Sequence, residues 1–181
     1  NHLFVVIRNN EQTAEKRLVS ILNDASRPNY LNQFTLSECL NYLTIISDDL
    51  ASIRKETLSV YHFDTIIHCA GSTSLLHTQR SKNEVHNQNF LVTENLLNQL
   101  PETVKRFIYI STAYSFGIQY EKVNDSIEDH NVTDFRNPYE ESKYESERFV
   151  RATCQQKNIA SQILRPSIIC GRLLEKPFFE T

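Results

Sequence analysis

The sequence has few glycines and no methionine or tryptophan. Its only glycines are Gly71, Gly117 and Gly171, spread over 181 residues. This spacing excludes a Gly-x-x-Gly-x-x-Gly turn, the usual cradle for a phosphate group at a helix N-terminus. Long apolar runs are also missing, since none approaches the roughly 18–20 residues that span a bilayer. No basic-then-apolar signal segment opens the chain.

A strong charge of one sign is absent as well. The 19 lysines and arginines against 22 acids leave a net charge of -3. Nucleic acids and acidic membranes call for a basic surface, so neither is expected as a partner. The six histidines show no metal-binding spacing.

The cysteines lie far apart and form no Cys-x-x-Cys pair; they are Cys39, Cys69, Cys154 and Cys170. Cys69 and Cys170 end apolar runs, which predicts that both are buried. A reduced, cytoplasmic setting is the simplest interpretation.

Strand-like and helix-like segments alternate along the chain. Continuous apolar runs predict strands at 3–7, 42–46, 63–69 and 106–110, and a fifth within 160–169. Helical spacing predicts helices at 11–23, 50–60, 80–100 and 138–156, the last starting at Pro138. Buried strands alternating with helices predict a parallel sheet covered on both faces. Ligands bind such sheets at the carboxyl ends of the strands.

The residues after the first two predicted strands suit the adenosine part of a dinucleotide. Arg8 follows the first strand, where an acid would favour NAD and an arginine favours the 2′-phosphate of NADP. Arg17 could assist it, although both could be plain surface arginines. After the second strand, Asp49 and Leu50 could meet the adenine, with Asp48 or Asp49 alternatively capping a helix.

The next two strand ends carry small and hydroxyl residues. Ala70 and Gly71 would let the backbone approach a ligand, or would simply form a turn. Ser111 and Thr112 follow the fourth strand, where a hydroxyl would point into the crevice. A polar loop, 119–137, comes next, and loops of this length are usually functional or mobile.

The most specific feature is Tyr139-Glu-Glu-Ser-Lys143. Residues i and i+4 share a helical face, so a lysine ammonium would lie beside a phenol. A nearby positive charge favours the phenolate, which predicts a pKa below the ordinary value near 10. Such a tyrosine is a usable acid near neutral pH.

Taken in order, these pieces resemble an extended short-chain dehydrogenase/reductase. The matching segments are Tyr139-x-x-x-Lys143, Ile110-Ser-Thr-Ala-Tyr-Ser-Phe-Gly117, Leu164-Arg-Pro-Ser-Ile-Ile-Cys-Gly171, and Asn89-Phe-Leu-Val-Thr93 with Val92 in place of a glycine. The thioester reductase and fatty acyl reductase (male sterility) branch is the most similar. Its features are matched by Val6-Ile-Arg8, Lys16-Arg-Leu18, Asp49-Leu50, Ile67-His-Cys-Ala70 and Ser111-Thr-Ala-Tyr114.

The resemblance implies one partial NAD(P)-binding Rossmann domain over residues 1–181, with a doubly wound parallel sheet. It also implies that the first βα unit, with its central strand and glycine-rich turn, and the C-terminal substrate region lie outside this chain. We therefore expect either a fragment of a longer chain or a polypeptide that binds NADP(H) poorly.

The resemblance further implies an NADPH-dependent reduction of an acyl group held on a carrier protein or coenzyme A. Tyr139 would be the acid, with Thr112 on the same oxygen and Lys143 beside the nicotinamide ribose. Asn89, Pro166 and Ser167 would complete the cofactor site. The product would be an aldehyde or an alcohol, and further domains of a larger enzyme could flank the chain.

Two other functions compete with this one. A nucleotide-sugar epimerase or dehydratase of the same superfamily would usually prefer NAD and carry an acid where Arg8 stands. A non-catalytic dinucleotide sensor or scaffold would typically lack the pair formed by Tyr139 and Lys143.

Overall fold

The computed structural model describes residues 2–23, 33–118 and 132–167. The chain divides into two compact units. The described part of the first ends at Leu50, and the second comprises Ala51–Ser167.

The first unit is a two-stranded parallel ladder with helices in its connection. Strands β1 (Leu3–Val6) and β2 (Leu43–Ile46) pair from Leu3 opposite Leu43 to Val6 opposite Ile46. Helices α1 (Ala14–Leu22) and α2 (Leu36–Asn41) follow β1. The side chains of Thr13 and Thr35 accept hydrogen bonds from the first turns of these helices, which fixes where each one starts.

The second unit contains a three-stranded parallel sheet in the order β3-β4-β5. Its strands are β3 (Thr65–His68), β4 (Arg106–Ile110) and β5 (Ala160–Leu164). Helix α3 (Lys55–Ser59) precedes β3. A long helical stretch joins β3 to β4: α4 (Gln79–Val85), a π-helical turn (His86–Leu91) and α5 (Val92–Asn98). A 3₁₀ turn (Ala113–Phe116) and α6 (Pro138–Gln156) lie between β4 and β5.

The core of the second unit forms around the central strand. Phe107 and Tyr109 of β4 are 0% and 1% exposed, and Val85, Leu97 and Val150 are each fully buried. A strand hydrogen-bonded on both sides places its side chains against helices, which explains the continuous apolar run at 106–110.

Every paired strand is parallel, which confirms the predicted α/β class. The bounds of β4 and α6 agree with the sequence prediction, and the helix predicted at 80–100 is interrupted by the π-helical turn. Helix α2 was not predicted. Thr35 and Glu38 form a capping box there, a pattern visible in the sequence.

Two expectations were wrong. Neither Asp48 nor Asp49 caps a helix, because α3 begins only at Lys55; the Asp48 carboxylate instead accepts a hydrogen bond from the Asp49 amide at 2.8 Å. Cys69 is exposed rather than buried, because it lies just beyond the last residue of β3. Cys170, the other cysteine predicted to be buried, and residues 119–131 of the polar loop lie outside the described residues.

Candidate active site

The beginning of α6 sets the position of Tyr139. The Asn137 side chain caps the helix by accepting a hydrogen bond from the Glu140 amide at 3.0 Å. Pro138 occupies the first turn, where its fixed φ suits the helix. Tyr139 follows in this first turn, half-buried, and Lys143 comes one turn later on the same face.

The Tyr139 phenol lies close enough to the Thr112 hydroxyl for the interaction between them to lower the pKa of the phenol. Thr112 directly precedes the 3₁₀ turn after β4 and is 5% exposed. Its oxygen accepts from the Tyr114 amide at 3.3 Å, so its proton is available for the phenol. The predicted meeting of Thr112 with Tyr139 therefore occurs in the structure.

The pKa of Tyr139 shifts in the direction opposite to the predicted one. Burial raises the pKa of the phenol, and the Thr112 hydrogen bond lowers it by less than burial raises it. The sequence argument failed because it ignored burial and assumed that the Lys143 ammonium faces the phenol.

The ammonium of Lys143 is instead directed towards β4. It donates to the Ile110 carbonyl at 3.0 Å and to the Tyr109 hydroxyl at 3.3 Å, and lies 4.8 Å from the centroid of the Tyr109 ring. Burial lowers the pKa of Lys143 to about 8, while the negative charge of Glu147 opposes that shift. Burial raises the pKa of Tyr109, so its hydroxyl stays neutral. Tyr109 was not identified from the sequence.

Asn89 ties the turn after β3 to α6. It lies in the π-helical turn and is 1% exposed. Its amide nitrogen donates to the Ser142 hydroxyl at 2.9 Å and to the Ser72 carbonyl at 3.2 Å, and its oxygen accepts from the Ser72 amide at 2.7 Å. π-Helical turns are frequent at functional sites.

Gly71 packs tightly against this asparagine. A Cβ atom at Gly71 would lie 2.5 Å from the Asn89 oxygen and 3.8 Å from the Lys143 nitrogen. The structure thus brings Gly71, Asn89 and Lys143 together, with Ala70 exposed beside them.

Pro166 lies beside the end of β4. Its carbonyl accepts a hydrogen bond from the Ala113 amide at 2.9 Å, and Ser167 next to it is exposed.

Arg165 and Glu147, which sequence reasoning missed, form an ion pair at 2.7 Å with Glu147 fully buried. The sequence signal for Glu147 was available, since it lies four residues after Lys143 on the helix.

The predicted adenosine-binding residues belong to the first unit. The Arg17 guanidinium donates to the Arg8 carbonyl at 2.7 Å, so both arginines lie at the carboxyl end of β1. Asp49 and Leu50 follow β2 and are half-buried.

Among the residues described, no cluster of potential metal ligands occurs, and no helix is long and apolar enough to cross a membrane.

Comparison with known proteins identifies the family. The family model described as male sterility protein matches residues 1–179. No curated protein matches the sequence.

Several solved structures share the fold. A UDP-glucuronic acid 4-epimerase from Bacillus cereus, in complex with NAD, is 19% identical with a TM-score of 0.61, covering 91% of this chain and 56% of that one. The dTDP-glucose 4,6-dehydratase DesIV from Streptomyces venezuelae is 19% identical with a TM-score of 0.62, covering 91% and 45%. RMD from Pseudomonas aeruginosa, complexed with NADPH, is 20% identical with a TM-score of 0.54, covering 90% and 53%.

At these identities the likeness concerns the fold alone, and the chain spans about half the length of these structures. The family match, in contrast, extends over nearly the whole chain. The chain belongs to the male sterility protein family, an NAD-binding branch of the extended short-chain dehydrogenase/reductase superfamily, and it has the Rossmann-like fold of that superfamily.

Proposed function

We propose that this protein is an NADPH-dependent reductase of acyl thioesters, acting on an acyl group held by a carrier protein or coenzyme A. The observation that carries the proposal is the proximity of the Tyr139 phenol to the Thr112 hydroxyl at the carboxyl end of β4, with buried Lys143 one helical turn from Tyr139. Membership of the male sterility protein family supports it.

The residues of each unit fit a nicotinamide dinucleotide. Arg17 reaches the Arg8 backbone at the carboxyl end of β1, and the guanidinium group that each of these residues carries is suited to a phosphate. In the second unit, the exposed backbone at Ala70 and Gly71 leaves room for close approach beside Lys143. The proposed cofactor-binding residues of the first unit are Arg8, Arg17, Asp49 and Leu50. Those of the second unit are Ala70, Gly71, Asn89, Lys143, Pro166 and Ser167.

When bound, the cofactor supplies a hydride, that is, a proton together with two electrons, to the carbonyl carbon of the thioester. Tyr139 gives its proton to the carbonyl oxygen as negative charge develops there, and Thr112 donates a hydrogen bond to the same oxygen. The hydroxyl formed in this way gives up its proton as the carbon–sulfur bond breaks, so the thiol leaves with that proton, an aldehyde remains, and solvent returns a proton to Tyr139. Reduction of the aldehyde to the alcohol would take a hydride from a second NADPH and a second proton from Tyr139.

The protonation states bear on these roles in different ways. The Tyr139 phenol is protonated at neutral pH, but its raised pKa makes it a weaker acid than an ordinary tyrosine, so proton transfer relies on the negative charge that develops on the substrate oxygen. With a pKa of about 8, Lys143 remains mostly an ammonium at pH 7, so it can donate to a ribose hydroxyl.

The test is Tyr139→Phe in the full-length protein, with turnover measured on acyl thioesters. We expect kcat to fall about 10²- to 10⁴-fold, the usual contribution of a positioned proton donor. Tyr144→Phe is the matched control, because Tyr144 is on the same helix and its hydroxyl accepts hydrogen bonds from the Val132 amide and the Arg148 guanidinium, neither of which belongs to a proposed site residue. Undiminished turnover in Tyr139→Phe would refute the assignment.

The alternative is a nucleotide-sugar epimerase or dehydratase, which the solved structures of similar fold favour. Arg8 favours NADPH, whereas such enzymes usually place an acid at that position. Comparing the affinities of the full-length protein for NADPH and NADH separates the two. Tighter NADH binding together with turnover of a nucleotide sugar would favour the alternative.

We also propose a cytoplasmic reaction, since Cys39, Cys69 and Cys154 are free thiols. Further domains of a larger enzyme would present the carrier-bound acyl group. Non-reducing mass spectrometry of the cellular protein checks the thiols.

A further inference from the structure

Glu147 is a fully buried carboxylate one helical turn beyond Lys143. The Ser115 hydroxyl lies 2.8 Å from one carboxylate oxygen. The Arg165 guanidinium donates to both oxygens, from Nε at 3.0 and 3.1 Å and from Nη2 at 2.7 Å. Tyr139, Lys143 and Glu147 thus form one row along α6, and the last member is held from two other segments.

Those two segments carry residues of the candidate active site. The Ser115 hydroxyl is also 2.9 Å from the Thr112 carbonyl, so it links Glu147 to the residue that bonds Tyr139. Arg165 directly precedes Pro166, whose carbonyl accepts from the Ala113 amide at 2.9 Å. The Arg165 guanidinium also lies 4.9 Å from the centroid of the Phe116 ring, at the end of the 3₁₀ turn.

Overall stability is a weak explanation for this cluster. Burying a carboxylate and a guanidinium costs several kcal/mol per ion in desolvation, and apolar residues of similar volume often serve equally well. A charged cluster also fixes geometry. A bidentate arginine–carboxylate pair sets the distance between its two groups and holds their planes aligned. Here the fixed geometry falls on the segments that carry Thr112 and Pro166.

We propose that Glu147 is a positioning residue, which through Ser115 and Arg165 fixes the segments bearing Thr112 and Pro166 against the helix that bears Tyr139 and Lys143. The expected effect on turnover rests on the proposed function, whereas the contacts that hold these segments together do not. The negative charge of Glu147 also acts on Lys143, whose pKa it raises.

The experiment uses the full-length protein with Glu147→Gln, Ser115→Ala and, as a control, Val150→Ala. Ser115→Ala leaves the ion pair intact, so it remains informative where Glu147→Gln fails to fold. Val150 is fully buried on the same helix and, having an apolar side chain, makes none of the cluster's hydrogen bonds, so its truncation destabilises the core while the ion pair keeps both partners. Kinetics are normalised to the folded fraction.

We expect kcat for acyl reduction to fall about 10- to 100-fold in both cluster variants, since a small misplacement of catalytic groups has effects of that size. KM should change much less, and Val150→Ala should stay within about twofold of the parent in kcat, because its cost falls on stability. Equal kcat values in the cluster variants and Val150→Ala would overturn the proposal.

A second measurement does not depend on turnover. The Tyr139 phenol is titrated by NMR with ¹³C-labelled tyrosine; the groups that interact with it are Thr112 and Tyr109. In Ser115→Ala the pKa of Tyr139 should rise, because the Thr112 hydrogen bond that lowers it is weakened. If the protein does not reduce acyl thioesters but the pKa of Tyr139 still rises in Ser115→Ala, the proposed function is refuted and the positioning role of Glu147 is supported. An unchanged titration refutes the positioning role.

Discussion

Replacing Gly71 with alanine should destabilise the protein through one identified collision. The φ angle of Gly71 is not positive, so the backbone itself accepts alanine. The new Cβ atom would, however, lie 2.5 Å from the Asn89 side-chain oxygen. Asn89 is 1% exposed, and rotating its side chain away from the new Cβ atom would break its hydrogen bonds.

The cost follows from the bonds that Asn89 makes. If its amide moves, the bonds to the Ser72 amide at 2.7 Å, the Ser72 carbonyl at 3.2 Å and the Ser142 hydroxyl at 2.9 Å weaken together. At about 1 kcal/mol for each buried hydrogen bond, the expected loss in the free energy of unfolding is about 2–3 kcal/mol.

A double-mutant cycle with urea unfolding tests this reasoning. Gly71→Ala, Asn89→Ala and the combined variant are compared with the parent. Because Asn89→Ala removes the colliding oxygen, Gly71→Ala should cost little in that background. The reasoning fails if Gly71→Ala costs as much in the Asn89→Ala background as in the parent, or if it costs nothing in either.

Three further predictions concern pH and backbone strain. Burial lowers the pKa of His68 from 6.5 to about 3. Below pH 6.5 the imidazole is therefore protonated in the unfolded chain but still neutral in the folded one, so the free energy of unfolding falls as the pH drops. At pH 5 the loss is roughly 2 kcal/mol. His68→Gln should show less of this acid loss in urea titrations between pH 7 and 4.5. The lowered pKa of Lys143, about 8, makes the unfolded state the better proton binder between pH 8 and 10.5, so Lys143 adds stability as the pH rises through that window. Lys143→Met should lack this increase, and identical pH profiles of the two proteins would contradict the assignment. Gly117 has φ +63°, and a Cβ there would meet the Asp134 carbonyl, so Gly117→Ala should lower stability by about 1–3 kcal/mol, measured by thermal unfolding.

Much of the secondary structure was predictable because its signals are local. The strand at 106–110 is a continuous apolar run, and α6 starts where Asn137 and Pro138 supply a cap and a fixed φ. The capping box at Thr35 and Glu38 was equally local, and attention to it would have found α2. The π-helical turn gave no such signal, and the partners of its residue Asn89, Ser72 and Ser142, lie 17 and 53 residues away in the sequence.

The structure brings the predicted Thr112, Tyr139 and Lys143 together, but the predicted electrostatics were wrong. The spacing of four put Tyr139 and Lys143 on one helical face, and the order of the strands put Thr112 nearby. The sequence could not give the direction of the Lys143 ammonium, which depends on the Ile110 carbonyl and the Tyr109 hydroxyl. The pKa of Tyr139 was therefore predicted with the wrong sign.

The sequence alone determined the class of the fold, the bounds of its strongest elements and the identity of the Tyr139–Lys143 pair, because periodicity and spacing are properties of neighbouring residues. The tertiary structure decided which groups are buried and which hydrogen bonds they make. Burial sets the pKa of Tyr139 and of Lys143, and Glu147 obtains Ser115 and Arg165 as partners only because segments 32 and 18 residues away meet at one helix. Those contacts come from packing among distant segments, which local pattern does not encode.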